Sequence, residues 1–225
     1  MQLLRGDNPL CELFSHFIEG AGGWNTIVNG TAAAVSFVTI TDTSAPGIAQ
    51  LSTGTSATAR AGLATAPTVV NGTTLLASLK MGSGESDYLC RVRIPVASDA
   101  TDTYLVRAGF FLSTTVTETT SGIFFRYVSG TSANWQIVVR NAGVETAVTT
   151  GVFAPFNAWQ NLAIVVNAAG TSVEFFIDGV AVTGSPITTN IPVNNLLGAG
   201  IVIVKTAGTT ARTIEADLQY VGVGL

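Results

Sequence analysis

Ten or more short apolar runs, separated by clusters of Gly, Asn, Ser and Pro, fill the chain from about residue 33 onward. Runs such as YLVRAGFFL, GIFFRYVS, NWQIVVRN and TIEADLQYVGV are rich in β-branched and aromatic residues, as strands are. In DYLCRVRIPV, Tyr88, Cys90, Val92, Ile94 and Val96 share one strand face while Arg91 and Arg93 share the other. Many strands of this kind, joined by short turns, pack as two antiparallel sheets, so the fold class is all-β. A chain of 225 residues can bury a sizeable core without metals or disulfides. No fixed-period repeat or long linker divides it, and one sandwich domain is expected over residues 23–225.

The turns are legible in the same way. In VEFFIDGVAV the dipeptide Asp178-Gly179 stands between two apolar runs, and both residues tolerate the positive φ of a tight hairpin. Asp178 therefore reads as a turn residue and not as a ligand. The NGT triplets at Asn29 and Asn71 read as Asn-Gly turns. The stretch TSAPGIAQLSTGTSATARAGLATAPTVVNG, poor in charge and aromatics, is expected to form short edge strands and loops around the sandwich.

Residues 1–22 differ from the rest. In DNPLCELFSHFIEG, Asn8 can cap a helix, Pro9 suits its first position and Gly20 its end, and the apolar residues recur at helical spacing. A short amphipathic helix is expected here. Its stripe of Leu10, Leu13, Phe14, Phe17 and Ile18 must be buried on the chain's own β-structure or on another protein, which makes these five the candidate attachment residues. His16 falls on the polar flank, and the RGD triplet at Arg5 to Asp7 reads as a helix lead-in.

Only 11% of residues are charged against 47% hydrophobic, a surface that suits burial against neighbours and hence a homo-oligomer. A net charge of −4 with no basic cluster argues against nucleic acid. The long uncharged stretch from Gly179 to Val204 is interrupted by Pro186, Pro192 and several Asn, which a membrane span would not carry. Cys11 and Cys90 are flanked by apolar residues and read as buried thiols. The opening MQLLRGDNPLCEL lacks the apolar core of a secretory signal, so synthesis in a host cytoplasm is expected.

The chemistry-bearing residues are few. Glu215 and Asp217 in EADLQ are two apart on one strand, the spacing of paired carboxylates that cleave glycosides. The pair resembles the Glu-x-Asp-x-x-Glu strand of retaining glucanases, but the third acidic position that this resemblance implies is Tyr220, with Gln219 beside it, so no enzyme is expected and the two carboxylates read as the wet face of the last strand. A single His excludes most catalytic triads, and no motif implies a metal or cofactor. GSGESD and SDATDT gather oxygen groups but lack the alternating carboxylates of a calcium loop. For sugar stacking, Trp24, Tyr104, Tyr127 and Trp135 are the candidate glycan contacts, set against the inward orientation usual for strand aromatics.

Two resemblances add to this reading. Trp159, Leu162 and Ile164, then Gly170, then Val173, Phe175 and Ile177 before Asp178-Gly179, resemble the hairpin of concanavalin-A-like and laminin-G-like jelly rolls. The ending RTIEADLQYVGVGL is similar to their closing strand, and the likeness implies a jelly-roll sandwich; Trp159, like other strand aromatics, is expected in the core. PGIAQLSTGTSATARAGL, Pro46 to Leu63, resembles segments of tailed-bacteriophage structural proteins. That resemblance implies a non-enzymatic virion protein, a capsid decoration or head-fibre protein contacting other capsid or fibre subunits, with a trimer the expected assembly. The alternative is a carbohydrate- or receptor-binding module of a tail fibre.

Overall fold

A computed structural model describes residues 11–17, 20–38, 47–65, 67–70, 73–76, 79–115, 118–128, 132–154 and 157–224. Among these residues there is no helix. Along the chain the strands are β1 (Cys11–Ser15), β2 (Asn25–Asn29), β3 (Ala34–Val38), β4 (Ile48–Ser52), β5 (Arg60–Ala64) and β6 (Pro67–Val70). There follow β7 (Thr73–Leu76), β8 (Leu79–Lys80), β9 (Ser86–Arg93), β10 (Tyr104–Phe111), β11 (Gly122–Val128) and β12 (Asn134–Asn141). The last are β13 (Val144–Phe153), β14 (Trp159–Val166), β15 (Val173–Ile177), β16 (Val180–Ala181), β17 (Leu196–Lys205) and β18 (Thr213–Val223).

Two sheets form the sandwich. Sheet I runs β16-β15-β14-β9-β18-β4-β3, with β1 also on β18; sheet II runs β13-β12-β11-β10-β17-β5-β2, with β8 also on β17. The pairings are antiparallel, and β6 and β7 form a separate hairpin. The core between the sheets takes the expected face of β9, Tyr88, Cys90 and Val92, together with Ile94. Opposite them lie Val106, Ala108 and Phe110 of β10 and Ile201 and Ile203 of β17. Val96 lies beyond the strand and is exposed. Tyr88 donates its hydroxyl to the Gly200 carbonyl at 2.9 Å, which satisfies a polar atom that the core would otherwise penalise.

The Asp178-Gly179 turn forms as expected. Asp178 has φ 49° and Gly179 φ 82°, with Ile177 paired to Val180 across them. A second turn of the same kind, Ala142-Gly143, closes β12 onto β13. The strand it introduces, VETAVTTGVF, is missing from the sequence reading because its Thr and Ala content hides the alternation. At the first NGT, Gly30 takes φ 111° at the end of β2; Asn71 lies outside the described residues.

Three expectations are corrected. The N-terminal helix does not form: residues 11–15 are strand β1, paired with β18 from Cys11 opposite Val223 to Ser15 opposite Gln219. Isolated helices of such length are marginal, whereas β18 extends beyond β4 and offers a row of free backbone groups. Leu13 then packs against the core, Phe14 points outward, and Phe17 turns back with φ 57° to bury itself against Phe37 at 6.1 Å. Leu10, Ile18 and the RGD triplet lie outside the described residues.

The second correction concerns the alanine-rich segment. Its strands β4 and β5 are not edges; each lies one place inside its sheet and is largely buried. Small side chains permit that close packing: a Cβ on Gly62 would come within 2.6 Å of the Ile201 carbonyl. The third concerns Glu215 and Asp217, read as the wet face of the last strand and in fact buried.

Candidate functional site

The outer face of sheet I gathers most of the chemistry that the sequence scatters. Strand alternation and register set it out in rows. One row runs Gln50, Glu215, Arg93, Trp159 across β4, β18, β9 and β14. The next carries Leu218, Arg91 and Asn161, and the third Phe14, Tyr220, Leu89, Ala163 and Phe176.

A register shift in β18 between Ala216 and Leu218 makes Asp217 an extra residue, so Asp217 and Leu218 both oppose Arg91. Inward positions change from Ile214 and Ala216 before the bulge to Gln219 and Val221 after it. Asp217 is thereby held over the outer face beside Glu215. Arg91 Nη1 donates to Asp217 Oδ2 at 2.7 Å, and Arg93 Nε donates to Glu215 Oε2 at 2.6 Å. Gln50 Nε2 adds a hydrogen bond to Glu215 Oε1 at 3.1 Å. His16 Nδ1 stands 4.0 Å from Asp217 Oδ1, and the Phe14 ring meets the His16 ring edge-on at 4.9 Å.

Trp159 is at the centre of this arrangement and not in the core. It is half-buried on the outer face, with the guanidinium carbons of Arg93 and Arg91 at 4.8 and 5.2 Å from its ring centroid. Cation–π attraction and two carboxylate anchors fix both arginines over the indole ring. The sequence carries the signal for this placement: Leu162, Ile164 and Val166 face inward, and Trp159 is out of phase with them. The expectation that Trp159 lies in the core, as strand aromatics usually do, is corrected by this placement.

The four aromatics proposed as sugar contacts are all withdrawn from solvent. Trp24 is 3% exposed, Tyr104 0%, Tyr127 3% and Trp135 1%, and all four belong to the core between the sheets. Trp135 donates Nε1–H to Gln160 Oε1 at 2.7 Å, and Tyr104 donates its hydroxyl to the Val96 carbonyl at 2.7 Å. Burial also pushes the Tyr104 and Tyr127 hydroxyls above their ordinary range.

Several other carboxylates are engaged or enclosed. Asp178 accepts from the backbone N–H and side-chain amide of Asn161 at 2.8 and 3.1 Å, completing its turn. Asp99 and Asp102 in SDATDT ion-pair with Arg212, and Asp102 Oδ1 accepts the Thr210 N–H at 2.8 Å. Close by, Lys205 is buried with its ammonium on the carbonyls of Gly54 and Thr210, at 2.7 and 2.6 Å. Asp87 is raised to about 7 by burial, with Glu85 adding to the effect. The Cys90 thiol is fully enclosed and pushed up to about 12 by desolvation, so it is inert. No group of three His, Cys, Asp or Glu side chains able to hold a metal occurs among the described residues.

Residues 44–217 match the model of the family described as SO2946-like, C-terminal domain. The chain belongs to that family. No curated protein sequence matches this SO2946-like domain. A protein of unknown function, SO2946 from Shewanella oneidensis MR-1, superposes with a TM-score of 0.69 at 12% identity, over 94% of this chain and 85% of that one. The conserved carbohydrate esterase vb_24B_21 from the Shiga toxin-encoding bacteriophage phi24B gives 0.57 at 17% identity, over 98% and 100%. The metal-free carbohydrate recognition domain of Emp46p gives 0.57 at 7% identity, over 100% and 95%. At these identities the likenesses establish the fold of the SO2946-like domain, a two-sheet sandwich of the jelly-roll, lectin-like kind.

Proposed function

We propose that this chain is a non-enzymatic recognition module of a bacteriophage particle that binds carbohydrate on the outer face of sheet I. The observation that carries the reading is Trp159, a half-buried indole with two arginines over its ring that Glu215 and Asp217 hold in fixed positions. A planar apolar surface ringed by preorganised donors and acceptors is what a sugar requires, since its ring stacks while its hydroxyls hydrogen-bond. The structural neighbours support the class: one is a carbohydrate recognition domain and another a phage carbohydrate esterase.

The same geometry speaks for binding over hydrolysis. Glu215 and Asp217 each carry an arginine, and Tyr220 stands where a further carboxylate would be needed for acid/base work. On the particle, the resemblance at Pro46 to Leu63 favours a capsid decoration or head-fibre protein, with a tail-fibre module as the second assignment. Phe14, 53% exposed on β1 beside Tyr220, is a described N-terminal residue open to a neighbouring virion subunit.

The test is a glycan array probed with the wild-type chain and with Trp159→Ala. Binding by the wild type that the variant loses by about tenfold or more, roughly 1.4 kcal/mol, supports the assignment. A wild type that retains no glycan, or a variant that binds as well, removes it. Immunogold labelling of the source particles tests the virion assignment separately.

A further inference from the structure

Arg60 on β5 presents a problem that the carbohydrate face does not address. It points to the outer face of sheet II, between Asn29 of β2 and Val204 of β17, and is 7% exposed. Its Nε is enclosed and makes no hydrogen bond, while the Nη pair is less fully enclosed. Among the described residues no carboxylate comes within ion-pair reach of it, although other buried or half-buried arginines of this chain have one. Burial holds the guanidinium below its ordinary value, yet arginine does not give up its proton in proteins.

A buried charge is costly unless paired, and truncating the partner of such a pair typically exposes that cost. Arg60 carries the cost without a partner. The rest of that face is also positive: Arg107, Arg126 and Arg140 stand against Glu118 and Glu145, a surplus of one before Arg60 is added, on a chain of net charge −4. The neighbours Val204 and Leu105 are apolar and buried, which lowers the local dielectric and strengthens attraction for an anion. Asn29, opposite Arg60 in register and exposed, brings an amide to the same position.

We infer that Arg60 is the anchor of an oxyanion site on the outer face of sheet II, taking a carboxylate or phosphate group in the fork of its guanidinium. The site is separate from the Trp159 face and stands or falls independently of it. Its ligand is a free inorganic oxyanion or the acidic group of a sugar; both present two coplanar oxygens to the fork.

Thermal unfolding of the full chain tests this, with inorganic phosphate or glucuronate added at constant ionic strength and methyl glucoside as the neutral control. Wild type is expected to show a saturable rise in Tm of about 3 °C or more with phosphate or glucuronate, and none with the glucoside. Arg60→Met should abolish the rise while being at least as stable as wild type in anion-poor buffer, because a charge without its partner has been removed. Arg60→Lys keeps the charge, loses the fork and should weaken the response about tenfold. Saturation at lower concentration by glucuronate assigns an acidic sugar, and by phosphate a free anion. No saturable rise in the wild type, or an undiminished rise in Arg60→Met, overturns the inference. If the methionine variant fails to fold, the lysine variant and calorimetric titration of phosphate into the wild type decide it.

Discussion

The outer faces of the two sheets come from the same alternation of strand residues and end as opposites. On sheet I the outward residues of β9, β14 and β18 build ion pairs and an aromatic row that stay partly exposed. On sheet II the outward residues of β10, β11, β12 and β17 form a second small core of Leu105, Phe111, Phe124, Val138, Val202 and Val204. Set into that core is a chain of ion pairs, from Arg107 to Glu118 to Arg126 to Glu145 to Arg140. Arg107 is fully buried and also donates to the carbonyls of Ser113 and Thr115, at 3.2 and 3.0 Å, so the segment after β10 folds back over it. An open polar face is available for recognition. Away from Arg60, the covered one stabilises the fold.

That contrast can be broken most severely at Arg107. Arg107→Ala takes from Glu118 one of its two arginines, leaves the carbonyls of Ser113 and Thr115 without that donor and opens a cavity beneath residues 113–115, and we expect a loss of about 2–5 kcal/mol in urea denaturation. Trp159→Ala, on the open face, should cost clearly less stability while removing glycan binding; equal losses of stability would dissolve the distinction between the faces. A smaller effect is expected at Gly62, between Ile27 and Val202 on the covered face. Its added methyl would crowd the Ile201 carbonyl, and Gly62→Ala should cost about 1–3 kcal/mol by the same measurement.

The smallest effect is a pH dependence on the open sheet. Asp87 is raised to about 7, so between about pH 4 and pH 7 the folded chain holds a proton that the unfolded chain releases. Its contribution is most favourable below that window, declines as pH rises through it and levels off above about 7. Asp87→Asn should match wild type near pH 4 and exceed it by roughly 1–2 kcal/mol above pH 7, after allowance for solvent screening. Parallel melting curves for the two proteins across this range would contradict the assignment.

Much of the sandwich was legible because a strand with one buried face repeats every two residues. NWQIVVRN and TIEADLQYVGV match the bounds of β12 and β18, and the Asp178-Gly179 turn forms as its chemistry requires. The site was less legible. Glu215 and Asp217 stand out in the sequence, but nothing there says that Arg93 and Arg91 lie opposite them; that follows from pairing β18 with β9, more than a hundred residues apart in sequence. Trp159 could have been placed by counting in twos from Leu162. Asp217 could not, because a bulge has no fixed sequence mark and shifts the phase of every residue beyond it.

Local patterning by itself determined the β class, the hairpin turns and the inward face of β9, since these depend on side-chain period and on which residues tolerate positive φ. Only the tertiary structure decided that residues 11–15 extend a sheet, that the alanine-rich strands lie inside and not at the edge, and that Arg60 is buried without a carboxylate partner among the described residues. Those outcomes depend on which backbone edges and charges distant segments bring together. A sequence window carries no information about partners that far away.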